Sequence, residues 1–168
     1  HLSAKLTSSS QHHIAVSVPE GTTVIGVYYS PALDLDDVIS DLKEALSSCP
    51  SGGRIVLGGD FNIKYGTADF DNLMHLLNSY NIILRSDQTC PTYTHSLGTS
   101  TPDHVFLSRD LTSPSCCLSK ICSSPHEAIK VTFKLPAHHR SSRTLLHEVK
   151  RVLDPNQCAE ELAKLVEE

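Results

Sequence analysis

The chain has 168 residues, of which 39% are hydrophobic, 20% charged and 5% aromatic, with no Trp and a net charge of -5. These values describe one globular domain with a chiefly aliphatic core, and they exclude a disordered or low-complexity chain. No apolar run approaches the roughly 18 residues a membrane helix needs, and His1-Leu2-Ser3-Ala4-Lys5 opens no signal-peptide core, so a soluble intracellular segment of something longer is expected.

Residues 3–10 are Ser-rich and read as a frayed end. Residues 14–18 alternate like a half-buried strand, 19–22 carry turn chemistry, and 24–29 form a second strand, which together predict a hairpin. After Pro31, Asp34 stands at an N-cap position, and Leu35, Val38, Ile39, Leu42, Ala45 and Leu46 recur at helical spacing over about 35–47. A Pro- and Gly-rich break precedes a central strand at 54–57. A second helix is predicted over about 69–79, then a strand at 82–84, short extended pieces at 92–94 and 104–107, and a last strand at 128–135. Strand pairs interrupted by two helices suit an α/β or α+β layered domain.

The six cysteines form no C-x-x-C pair, so free thiols are expected; Cys116, Cys117 and Cys122 could hold a metal only with a fourth ligand brought by the fold. Residues 1–119 carry 6 basic and 12 acidic side chains, whereas 120–151 carry 7 and 2. That basic block could meet a polyanion, because phosphate contacts depend on local charge, although a solvated linker has the same composition.

Three strand mouths carry the polar groups that could do chemistry. Gly58-Gly59-Asp60-Phe61-Asn62 follows the 54–57 strand, Thr101-Pro102-Asp103-His104 opens another, and Ser124-Pro125-His126-Glu127 opens the last. Any one of them alone is ordinary turn composition. His104 adjoins Asp103 in an extended stretch, where neighbours face opposite ways, so its role is expected to be structural. The His12-His13 and His138-His139 pairs show no ligand spacing, and His95 has no assigned role.

The pieces "VIGVYYSP", "IVLGGDFN", "PTYT", "STPDHVFLS" and "SPHEAIKVTF" together resemble the endonuclease/exonuclease/phosphatase superfamily, and within it the endonuclease domains of LINE-type (non-LTR) retrotransposons. The resemblance covers about residues 14–135 and implies a DNase I-like layered sandwich with its amino-terminal part missing. It implies that Asp60 aligns the attacking water or assists the leaving oxygen, that Asn62 hydrogen-bonds a phosphate oxygen, and that Asp103 orients His126, which stabilises the transition state. Tyr29 matches a tyrosine that touches phosphate. Mg²⁺ or Mn²⁺ is the implied cofactor, with Asp60 as a metal ligand; the usual metal glutamate has no counterpart, since Glu20 sits in a turn, and Pro125 stands where the family has an aspartate. If the assignment holds, Asp60, Asn62, Asp103 and His126 meet at one sheet edge, with the Asp103 carboxylate within about 3.2 Å of a His126 ring nitrogen.

The function so implied is DNA nicking by metal-dependent phosphodiester hydrolysis, in a truncated domain whose activity the two departures affect. The alternatives are a non-catalytic remnant that binds nucleic acid or protein through the basic block, and a phosphatase of the same superfamily. Residues 1–136 would form the partial nuclease domain, and 137–168 a linker and acidic helix leading towards a reverse transcriptase. The expected partners are DNA and that reverse transcriptase, in the nucleus and away from any membrane.

Overall fold

A computed structural model describes residues 4–19, 21–120 and 124–135. The expected linker and acidic helix, Cys122, Glu20 and five of the seven cations' side chains in the basic block lie outside what it describes; Lys130 and Lys134 are exposed.

Six strands build the main sheet: β1 (Lys5–Ser9), β2 (His13–Val18), β3 (Thr22–Tyr28), β4 (Arg54–Asp60), β5 (Ile82–Leu84) and β8 (Asp103–Ser108). Their order is β1-β2-β3-β4-β8-β5, and the β3–β4 pair is parallel while the rest are antiparallel. A parallel pair needs a crossover, and helix α1 (Leu35–Ser47) supplies it. Helix α2 (Ala68–Ser79) then links β4 to β5. Separate two-stranded sheets are formed by β6 (Tyr93–His95) with β7 (Gly98–Ser100), and by β9 (Thr112–Lys120) with β10 (Glu127–Lys134).

Both helices start where their side chains can cap them. The Asp34 carboxylate accepts the Asp37 N–H as expected, and Thr67 Oγ1 does the same for Phe70. Val38, Leu42, Ala45 and Leu46 of α1, with Phe70, Leu73 and Leu77 of α2, turn inward and pack on Ile25, Leu57 and Phe106 of the sheet. Alternation puts Val56, Val105 and Leu107 on the opposite face, where Ile129, Val131 and Phe133 of β10 cover them.

That second face is covered unevenly. One cross-sheet row runs Leu6, Val16, Val24, Val56, Leu107. Its Leu107 and Val56 are fully buried under β9–β10, Val24 and Val16 are half-buried, and Leu6 is 56% exposed.

Three elements correct the sequence reading. Residues 5–9 are an edge strand rather than a frayed end, because they pair with β2 and the half-buried Thr7 and Ser8 bond to the Ala15 carbonyl and the His13 ring. Strand β9 carries no strand signal in the sequence, since Ser, Thr and Pro make up five of its nine residues, and its pairing with β10 makes it a strand. The 54–57 strand runs on to Asp60, so the glycines belong to the ladder and not to a turn.

Candidate active site

Gly59 is the residue that lets β4 continue so close to β3. Its φ is +151°, and a Cβ there would stand 1.9 Å from the Val27 carbonyl oxygen, so no other residue fits. One residue on, Asp60 pairs with Tyr28 on one side and Asp103 on the other, all three on the face that carries Val56 and Val105. Asp60 and Asp103 are 5% and 3% exposed.

His126 arrives from the other sheet. The Glu127 N–H donates to the Thr92 carbonyl at 2.8 Å and the Thr94 N–H to the Pro125 carbonyl at 2.9 Å, so the β6–β7 hairpin clasps the segment before β10. Tyr93 lies against the imidazole with ring centroids 4.3 Å apart. Nδ1 of His126 stands 3.1 Å from Asp103 Oδ2, inside the limit expected from sequence, and Thr92 Oγ1 donates to the same oxygen at 2.7 Å. A ring held through Nδ1 turns Nε2 away from Asp103. The tip of that hairpin bears Leu97, 90% exposed.

Asp60, Asp103 and His126 each offer one ligand atom, and those atoms all lie within 4.8 Å of one another. Two carboxylates and an imidazole form a donor set suited to Mg²⁺ or Mn²⁺, which commonly take one or two carboxylates and fill the remaining positions with water and phosphate oxygens.

Asn62 sits next to this group with φ 51°, a left-handed conformation that Asn tolerates better than most residues. Its N–H donates to Asp60 Oδ1 at 3.2 Å and its side-chain amide to the Tyr29 carbonyl at 2.7 Å. The Tyr29 N–H in turn donates to the Asp60 carbonyl at 2.9 Å. Tyr29 thus holds both Asp60 and Asn62, but through its main chain.

Its side chain corrects the expectation of a phosphate contact. Tyr29 follows Tyr28 and so faces the helices, is fully buried, and donates its hydroxyl to Asp41 Oδ2 at 2.8 Å. Burial, and then the adjacent Asp41 charge and hydrogen bond, push its ionisation far above the ordinary tyrosine range. Asp41 also meets His13 Nδ1 at 2.9 Å and the Ser10 hydroxyl at 2.6 Å. Although burial pushes the Asp41 carboxyl up, the bonds from Ser10, His13 and Tyr29 outweigh it and hold the group below the usual carboxylate range.

His104 lies on the helix side, fully buried among Phe61, Phe70 and Phe106, with Nε2 donating to the Ile63 carbonyl at 2.7 Å. Burial lowers its pKa and keeps it neutral. The residue that sequence reasoning missed is Thr92, 1% exposed, which shares Asp103 with His126. Its only sequence signal was a place in the "PTYT" piece. The described cysteines Cys49, Cys90, Cys116 and Cys117 are free thiols, and among the described residues no helix is long and apolar enough to cross a membrane.

Comparison with curated proteins returned no match. Among solved structures, the fold is similar to the endonuclease domain of TRAS1, a telomere-specific non-LTR retrotransposon, at 18% identity and a TM-score of 0.65 over 75% of this chain and 64% of that one. It is also similar to an endonuclease/exonuclease/phosphatase family protein from Leptotrichia buccalis C-1013-b, at 14% identity and a TM-score of 0.52 over 80% of this chain and 61% of that one. The chain therefore spans under two thirds of the length of either structure. Residues 22–130 match the model of the family Exo_endo_phos_2, endonuclease-reverse transcriptase, and they take in β3, β4, β8 and the segment bearing His126. With the DNase I-like fold and more than half of its length matched, the chain belongs to the endonuclease-reverse transcriptase family of the endonuclease/exonuclease/phosphatase superfamily.

Proposed function

We propose that the chain carries the hydrolytic centre of a DNA-nicking endonuclease of the non-LTR retrotransposon kind, acting in the nucleus beside a reverse transcriptase of the same polypeptide. The observation that carries this reading is the convergence of Asp60, Asp103 and His126 from three separate strand mouths, with the imidazole held by Asp103 at 3.1 Å.

In the proposed reaction a water oxygen attacks phosphorus, the P–O3′ bond breaks, and the departing 3′ oxygen takes up a proton. The products are a 5′-phosphate and the 3′-hydroxyl that a reverse transcriptase extends. Asp60 orients the attacking water. Asn62, fixed by the Tyr29 carbonyl, places a donor beside a phosphate oxygen. Asp103 and Thr92 hold the His126 ring so that Nε2 faces the charge developing on the phosphate, an arrangement prepared before the substrate arrives. A divalent cation at Asp60, with the Asp103 and His126 donors beside it, would supply charge neutralisation and a more acidic water. Leu97, on the hairpin next to His126, offers an apolar contact to the groove of a bound duplex.

The test is nicking of supercoiled plasmid by the purified protein with Mg²⁺ or Mn²⁺, with EDTA and His126→Ala as controls. Nicking that needs both metal and His126 is the expected result. Folded protein that leaves the plasmid supercoiled, or nicks it equally well without His126, refutes the proposal.

A further inference from the structure

Edge strand β1 and helix α1 bring a serine, an imidazole and a carboxylate into line on the helix side of the sheet, the face opposite Asp60. Ser8 Oγ lies 2.9 Å from Nε2 of His13, and Nδ1 of the same ring lies 2.9 Å from Asp41 Oδ1. The His13 side chain is fully buried, while Ser8 is half-buried at the sheet edge. We infer that Ser8 is the nucleophile of a second centre, an acyl-transfer site in which His13 takes the serine proton and Asp41 orients the ring. The acyl donor it fits is a small neutral or cationic ester. This centre is independent of the phosphodiester site.

The placement of the protons sets the direction of these bonds. Asp41 accepts from the Ser10 hydroxyl at 2.6 Å and from the Tyr29 hydroxyl at 2.8 Å, and as an ionised carboxylate it can only accept. Nδ1 of His13 therefore carries the proton shared with Asp41, and in the neutral imidazole Nε2 is left bare to accept from Ser8. That is the tautomer a general base needs, and both distances fall within the roughly 2.6–3.2 Å that nucleophile, base and orienting group require. Ser10 cannot replace Ser8 as the nucleophile. Its oxygen accepts from the His12 and His13 N–H groups at 2.9 and 3.0 Å, and its proton goes to Asp41.

A serine nucleophile also needs a donor for the oxyanion and an open approach, and the sheet edge provides both. The Ser10 N–H donates to the His13 carbonyl and β1 pairs Ser9 with Ile14, so antiparallel alternation turns the Ser9 N–H away from β2. It points to the edge, beyond which no strand follows among the described residues. An oxyanion formed at Ser8 thus has a main-chain donor one residue on. Asp37 and Glu44 lie exposed one turn before and after Asp41 on α1, against Lys5 of β1, and this charge disfavours an anionic substrate. In the step so assigned, Ser8 Oγ bonds the ester carbonyl carbon as its proton passes to His13 Nε2. The carbon–oxygen bond to the alcohol then breaks, and the departing alkoxide takes that proton. Water, giving a proton to the same nitrogen, releases the acid and restores Ser8.

The test is incubation of the full 168-residue protein with an alkyl fluorophosphonate, followed by peptide mass spectrometry, and with p-nitrophenyl acetate, followed by release of p-nitrophenolate. The expected result is one adduct, on Ser8, formed about a hundredfold faster than on any other serine and lost in concentrated urea. Ser8→Ala should reduce ester hydrolysis to the rate in buffer. Asp41→Asn can offer an N–H to Nδ1 and so move the ring proton to Nε2, and it should slow labelling by about tenfold or more. Circular dichroism shows whether each variant is folded. No adduct on the folded protein, adducts spread evenly over the serines, labelling that survives urea, or ester hydrolysis unchanged in Ser8→Ala overturns the site. These four readouts need only the unchanged protein and Ser8→Ala, so they decide the matter even where Asp41→Asn does not fold.

Discussion

Replacing Asp60 by Asn should make the metal-free protein more stable and abolish its response to metal. In the absence of a cation, Asp60 and Asp103 hold ligand oxygens no more than 4.8 Å apart while both side chains are almost fully buried. At an effective dielectric of about 20, two ionised carboxylates no farther apart than that repel by at least about 3.5 kcal/mol. A protonated His126 would offset part of this, and Asn keeps an oxygen for the Asn62 N–H, so a net gain of about 1–2 kcal/mol is expected for Asp60→Asn. The opposite holds with Mn²⁺ present: at a hundredfold excess over Kd the unchanged protein gains about 2.7 kcal/mol, and the variant little. Urea denaturation in EDTA and in Mn²⁺, followed by circular dichroism, gives all four midpoints. If Asp60→Asn loses stability in EDTA, or gains as much from Mn²⁺ as the unchanged protein does, the reading of these carboxylates as a metal-binding pair is wrong.

Other perturbations probe the frame around the site. Gly59→Ala should cost at least about 3 kcal/mol in urea denaturation, because its Cβ meets the Val27 carbonyl and its φ is strained for any side chain. Tyr29→Phe should cost about 1.5–3 kcal/mol near neutral pH by removing a donor from charged Asp41. Since the folded Asp41 carboxyl is held below its unfolded value, its stabilisation is complete above about pH 4 and is lost as pH falls through the folded value, so the difference between Tyr29→Phe and the parent should shrink in acid. His104 behaves as a buried neutral base: its folded pKa lies below the unfolded value of about 6.5, so the unfolded chain takes up the proton first and stability falls as pH drops below that point, by up to about 1.4 kcal/mol per pH unit. In His104→Phe the slope of unfolding free energy between pH 6.5 and 5 should flatten, and an unchanged slope would mean that His104 is not the titrating group.

The sequence by itself determined the elements whose signals are local. Helix α1 was legible to the residue because Asp34 caps it and its apolar positions recur at one period, and alternation alone separated His104 from Asp103. The three polar strand mouths were visible too, and their order in the chain pointed to a family before any geometry was known. What the sequence did not carry were facts that depend on a neighbour distant in the chain. Strand β1 and strand β9 have no hydrophobic period of their own and exist through their pairing with β2 and β10. Thr92 became part of the site only once β6 was laid across the Asp103 carboxylate. The phosphate contact expected of Tyr29 does not form because its motif fixes a residue type, whereas the face it occupies depends on the register of β3 against β4, which pairs Tyr28 with Asp60 and sends the next side chain to Asp41.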